Sequence, residues 1–181
     1  MPHFAAPPLF TVPDLLTPVE CRALIDWSES LGYDEAPVSL AGGPVQRPDL
    51  RNNGRVMVDD PERAAWLWAR LAPSIPPTRA GLAPIGLNER LRFYRYKPGE
   101  RFRWHTDGFY RQPSGERSLL TLMVYLNEVD EGGWTEFETI SIYPIAGQAL
   151  VFDHMLPHQG AEVIAGRKYV LRSDILYPTL G

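Results

Sequence analysis

The chain has 181 residues, 44% hydrophobic and 11% aromatic, with a formal net charge of -4. That length suits one domain around a single core. The charge supplies no basic field for nucleic acid, which is set aside as a partner, and no apolar run approaches the ~20 residues needed to span a membrane. Cys21 is the one cysteine, so no internal disulfide can form and nothing points to an oxidising compartment. The segment Met1 to Pro8 lacks the charged and apolar regions of a signal peptide, so a cytoplasmic location is expected by default. His3 is expected to be a terminal residue without a role.

Thr17-Pro18-Val19-Glu20 reads as a capping box with proline in the first helical turn, and Val19, Leu24, Ile25 and Leu31 give an apolar stripe up to Gly32. Between this helix and the next lies a polar stretch, Arg51 to Val58, readable as a hairpin or as a loop over a substrate. Asp60-Pro61-Glu62 opens a second helix with Ala64, Leu67, Trp68 and Leu71 on its buried face, and Pro73 stops it. Ser74 to Gly86 is a connector dense in proline and glycine, and Asn88-Glu89 a turn. Leu91 to Tyr96 alternates as a strand, Lys97-Pro98-Gly99-Glu100 turns the chain, and Phe102-Arg103-Trp104 leads into His105. Gly108 to Gly115 reads as a lid, Gln148 to Phe152 as an apolar strand, and Gly166 to Arg172 as a strand on which Lys168, Val170 and Arg172 share a face.

His105-Thr106-Asp107 gives these elements a chemistry. At a strand end, residues two apart point to the same side, so His105 and Asp107 converge on one ion while Thr106 faces away. A second imidazole completes the two-histidine, one-carboxylate facial triad of non-haem iron(II) sites, which leaves other metal positions open. His154 and His158 both follow the apolar strand. Only His158 has a cation ten residues on, Lys168, placed to pair with an anionic cosubstrate, so His158 is preferred and His154 is read as a supporting loop residue.

Five blocks in order then resemble the prolyl 4-hydroxylase-like branch of the iron(II) and 2-oxoglutarate dioxygenases. They are Tyr96 to Gly108, Leu120 to Asn127, Gly132 to Phe137, Pro144 to Phe152, and His158 to Lys168. The resemblance implies a double-stranded β-helix, a jelly-roll barrel of mainly β structure, with the N-terminal helices packed on its larger sheet. The resembling blocks cover about half the chain, Leu91 to Tyr177; a single domain is expected over residues 1–181, with 1–90 as support and 91–177 as the metal-binding core. The resemblance implies iron held by His105, Asp107 and His158, and 2-oxoglutarate held by Lys168 with the Tyr125 hydroxyl and, nearby, Tyr96. Arg172 is a second carboxylate-binding candidate or a substrate anchor. Asn53, Arg55, Phe109, Tyr110 and Trp134 are substrate candidates, although Trp134 departs from the family pattern, which usually has a glutamate there. Because Asp107 is kept, hydroxylation is expected rather than halogenation.

The expected activity uses iron(II), 2-oxoglutarate and dioxygen, with ascorbate as an accessory reductant, to hydroxylate a C–H bond of an amino acid, a small metabolite or a prolyl peptide. Met123, Phe137, Phe152 and Val170 are expected to wall the cavity against water. Two other readings are a cupin-like metal-dependent isomerase or binder, and a silent barrel used as an interaction module. A strand with Lys168 and Arg172 facing solvent from a sheet edge would suit the last of these. Oligomeric state is not legible from the sequence.

Overall fold

The structure is a computed structural model that describes residues 8–40, 43–79 and 81–179; His3 lies outside them. In chain order the first elements are β1 (Leu9–Val12), α1 (Pro18–Leu31), β2 (Asp34–Glu35), β3 (Val38–Leu40), β4 (Gly43–Val45), β5 (Gly54–Asp59) and α2 (Pro61–Leu71). A short 3-10 turn, Ala72–Ser74, leads to β6 (Gly86–Leu87), β7 (Arg90–Tyr96), β8 (Phe102–His105) and β9 (Arg117–Tyr125). The remainder is β10 (Glu131–Gly132), β11 (Thr135–Phe137), β12 (Ser141–Ile142), β13 (Ala149–Asp153), β14 (His158–Gly160), β15 (Val163–Ala165) and β16 (Lys168–Tyr177).

The larger antiparallel sheet runs β1-β13-β9-β16-β7-β5-β2, with β6 also paired to β16, and the smaller runs β12-β11-β14-β8. Together they form the double-stranded β-helix. Alternation along the large sheet separates two cores. On β16, Tyr169, Leu171, Ile175 and Tyr177 join Phe93, Leu122, Val151 and the helices in an outer core. Val170 faces inward with Tyr94, Tyr96, Tyr125 and Phe152, against Phe137 of the smaller sheet. β16 is no edge strand. It lies between β7 and β9, and all ten of its residues are buried, so Lys168 and Arg172 have no route to solvent through an open edge.

Both helices begin as their sequences require. Thr17 Oγ1 accepts from the Glu20 amide and Glu20 accepts from the Thr17 amide, which closes the capping box, while the Asp60 carboxylate caps α2 at the Arg63 amide. The buried stripe of α1 is Cys21, Leu24 and Ser28 rather than one containing Val19 and Leu31. Val19, two positions before Cys21, stands about 200° round the helix and is 67% exposed. Leu31 is also exposed, in the last turn before the chain leaves at Gly32. In α2, Ala64, Leu67 and Leu71 are buried as expected, whereas Trp68 packs at the margin.

One glycine holds the N-terminal segment to the barrel. Gly147 has φ +81°, and a Cβ there would lie 2.0 Å from the Leu16 carbonyl oxygen, whose own amide donates to Gly147 O at 3.2 Å. Only a residue without a side chain permits that approach.

Candidate metal centre

His158 on β14 is the direct cross-strand partner of His105 on β8, so strand pairing alone brings two imidazoles from distant parts of the chain face to face. Their ring centres are 4.2 Å apart. Asp107 follows β8 by two residues, its amide donating to the His154 carbonyl at 2.9 Å. Its carboxylate oxygens lie 3.9 Å from the Nε2 atoms of His105 and His158. One potential ligand atom from each residue lies within 4.8 Å of the other two, which leaves a common point within coordinating reach. Thr106, expected to face away, lines the cavity rim instead, because β8 ends at His105 and strict alternation ends with it.

The backbone selects the tautomer that such an ion needs. His105 Nδ1 donates to the Arg103 carbonyl at 2.7 Å and His158 Nδ1 to the Leu156 carbonyl at 2.9 Å, so both rings present a bare Nε2 lone pair. Burial, with a further push from His158, lowers His105 to about 3. Burial likewise lowers His158. Both are therefore neutral and free to ligate. Burial alone would raise Asp107, but the Arg172 guanidinium beside it, together with the hydrogen bond from Thr121, holds it well below the usual carboxylate range. Phe137 and Phe152 pack on the His158 ring at 5.7 and 4.6 Å between centres, and Phe102 stacks on His105 at 3.5 Å.

Several groups that orient Asp107 carry no signal in the sequence. Thr121 donates to Asp107 Oδ2 at 2.5 Å. It in turn accepts from His154 Nδ1 at 2.8 Å, and His154 Nε2 accepts from the Ser118 hydroxyl at 2.8 Å. Burial keeps His154 neutral, at about 4, which suits one ring nitrogen donating and the other accepting. His154 thus supports the cluster without joining it. Arg172, entertained above as a carboxylate binder, is engaged with Asp107 at 3.1 Å and Asp174 at 3.2 Å. Asp174 also holds Arg92 at 3.0 Å and accepts from Asn88 at 3.0 Å. The result is a buried row of alternating charge, Arg92, Asp174, Arg172, Asp107, in which each ion compensates its neighbour.

A cavity of about 610 Å³ opens beside the cluster. Lys168 lines it at 1% exposure and has no ion pair among the described residues. Its Nζ lies 5.4 and 5.5 Å from the ring centres of Tyr96 and Tyr125, and burial alone lowers it to about 7. Tyr96 also lines the cavity, whereas Tyr125 stands behind the wall and donates to Thr135 Oγ1 at 2.7 Å, so the hydroxyl that meets the cavity there is that of Thr135. Among the substrate candidates, Arg55, Phe109 and Tyr110 line the cavity. Asn53 does not. It is fully buried and accepts from Arg51 Nε at 2.8 Å. Trp134 also lies off the cavity, 42% exposed and edge-on to Tyr143. Of the expected apolar walls, Met123 lines the cavity and Phe137, Phe152 and Val170 form the packing behind it.

Two imidazoles and one carboxylate are the donor set that non-haem iron(II) sites use, and the chain is similar to proteins of that kind. Residues 91–173 match the model of the 2OG-Fe(II) oxygenase superfamily. That match covers somewhat less than half of the chain, and the relatives it resembles are prolyl 4-hydroxylases. The chain is 35% identical to probable prolyl 4-hydroxylase 11 of Arabidopsis thaliana over 38% of this chain and 26% of the relative, and 28% identical to probable prolyl 4-hydroxylase 10 of the same plant over 48% and 41%. The chain thus spans less than half the length of those curated relatives. Solved structures share the fold at lower identity. The viral collagen prolyl hydroxylase of Paramecium Bursaria Chlorella virus-1, in its 2OG complex, aligns with TM-score 0.65 at 22% identity over 93% of this chain and 95% of that one. A Pseudomonas putida prolyl-4-hydroxylase aligns with TM-score 0.67 at 18% identity over 94% and 93%.

Proposed function

We propose that the protein is an iron(II)- and 2-oxoglutarate-dependent hydroxylase acting on a free amino acid, a small metabolite or a prolyl peptide. The observation that carries this is the convergence of two neutral imidazoles and one ionised carboxylate at the mouth of a cavity that also holds a buried lysine with no counter-ion among the described residues. That donor set fits iron(II) in a facial arrangement. Bound there, iron supplies oxygen activation coupled to decarboxylation of 2-oxoglutarate, one oxygen atom entering succinate and the other a substrate C–H bond.

The chain's own groups prepare that chemistry. His105 and His158 offer Nε2, and Thr121 and Arg172 aim the Asp107 carboxylate. Lys168 receives the distal carboxylate of the cosubstrate, with Thr135 and Tyr96 beside it. Phe102, Phe137 and Phe152 shield the histidine rings from water. A barrel used only as an interaction module has no reason to retain an uncompensated ammonium inside, at a cost of several kcal/mol. A cytoplasmic setting is part of the same proposal, consistent with a lone buried cysteine. No helix among the described residues is long and apolar enough to cross a membrane.

The test is succinate formation by iron-loaded protein supplied with 2-oxoglutarate and a metabolite and peptide panel, with Asp107→Ala as control. Succinate that depends on iron and on Asp107 is the expected result. Iron-loaded protein that neither binds 2-oxoglutarate nor forms succinate with any candidate refutes the proposal.

A further inference from the structure

The cavity is more cationic than a metal and its cosubstrate require. Arg51, Arg55, Arg92, Lys168 and Arg172 line it against a single lining carboxylate, Asp107, in a chain of net charge -4. Arg92 and Arg172 are compensated by Asp174 and Asp107, and Lys168 is assigned above to 2-oxoglutarate. Arg51 and Arg55 remain, and neither has an ion pair among the described residues.

Arg51 is built into the wall. It is 6% exposed, its backbone bridges to Phe102, and its guanidinium carbon sits 4.5 and 4.4 Å from the ring centres of Tyr94 and Phe102. Asn53 fixes Nε, while Nη2 is buried with no partner. A buried donor left unpaired pays its desolvation without return, which a bound acceptor would recover. Because Phe102 stacks directly on His105, this cation stands one ring away from the metal centre. Arg55 reaches the same place through register. It pairs with Tyr94, an inner-core residue, while its neighbour Val56 packs in the outer core, so its side chain points inward. Tyr94 reports the resulting field: burial alone would raise its phenol, but Arg51, Arg172 and Arg92 more than reverse this and bring it below its ordinary value.

We propose that Arg51 and Arg55 form an oxyanion site, and that the substrate is a small acid whose carboxylate docks there while its reacting C–H bond faces His105, Asp107 and His158. Guanidinium forks match carboxylates in plane and charge. An amide in the same place would set its own N–H donors against them. A mid-chain prolyl residue carries no carboxylate, so the site selects free amino or organic acids. The inference rests on the metal and cosubstrate reading above.

The test is calorimetric binding of N-acetyl amino acids and their matching primary amides to full-length protein loaded with zinc(II) and saturated with 2-oxoglutarate. At least one acid is expected to bind about tenfold or more tightly than its amide. That preference should collapse in Arg55→Gln, a substitution at a half-buried strand residue, and weaken in Arg51→Lys. It should persist in Lys168→Met measured without cosubstrate, where Arg51 and Arg55 are the uncompensated cations left. Equal affinity for acids and amides, no binding by any acid of the panel, or a preference unchanged in both arginine variants overturns the proposal. Failure of 2-oxoglutarate itself to bind counts against the oxygenase reading instead. The acid–amide comparison in cosubstrate-free protein still decides the arginine site.

Discussion

Replacing Lys168 with methionine should stabilise the fold and strongly weaken cosubstrate binding. The side chains are close in length, and methionine adapts to an irregular apolar site. The ammonium is 1% exposed, and burial lowers it from 10.5 to about 7. At about 1.36 kcal/mol per unit, that shift corresponds to roughly 5 kcal/mol of penalty when the lysine is charged in the fold. The native state binds fewer protons than the unfolded chain between about pH 7 and 10.5, so the penalty is complete below about 7 and fades as the pH rises through that window. Urea denaturation of metal-free Lys168→Met should therefore show a gain of about 2 kcal/mol or more near pH 6.5, shrinking toward about pH 9.5. In the same variant 2-oxoglutarate should bind about a hundredfold more weakly, as expected when one partner of a buried charge pair is removed. A variant no more stable than the parent at pH 6.5, or one that binds 2-oxoglutarate normally, refutes the assignment.

Thr121→Val should weaken metal binding by about tenfold or more, because it removes the donor that aims Asp107, and Thr121→Ser should restore it; manganese(II) affinity unchanged in the valine variant contradicts this. His105, His154 and His158 are all lowered by burial, the first two to about 3 and about 4 from 6.5. Below about 6.5 the unfolded chain binds more protons, so stability falls with the pH. Urea unfolding of the metal-free protein should show a loss of a few kcal/mol between about pH 7.5 and about pH 5, and equal stability at the two would show that the rings are not buried neutral. Gly147→Ala should cost about 2 kcal/mol or more in thermal or urea unfolding, since the new Cβ meets the Leu16 carbonyl; a neutral effect would mean that the N-terminal segment is not clamped there.

Much of the barrel was legible because its strands carry local signals: alternation in Leu91 to Tyr96, a continuous apolar run in Gln148 to Phe152, and a shared face for Lys168, Val170 and Arg172 all fall on real strands, the second of which starts at Ala149. The helix starts were legible because capping is local chemistry. The faces of α1 were not, since Val19 and Leu31 are apolar without being covered. At the site, His105, Asp107 and His158 were chosen by spacing and by family resemblance, and the β8–β14 register brings them together. What the sequence concealed are partnerships across strands. Arg172 reads as a free cation beside Lys168 until Asp174 and Asp107 are seen to flank it. Thr121 and His154 have no motif to mark them, because their role depends on β9 lying beside β13 and β16. Asn53 stood in the correct segment, yet the group it serves, Arg51, is the one that reaches the cavity.

The most direct measurement is an anaerobic titration with iron(II) followed by 2-oxoglutarate, monitored by the visible charge-transfer absorption of a chelated ferrous centre. One equivalent of each should develop the band in the parent, with none in Asp107→Ala and none in Lys168→Met at matched cosubstrate concentration. A parent protein that binds iron at another site, or an Asp107→Ala variant with an undiminished band, would contradict the account.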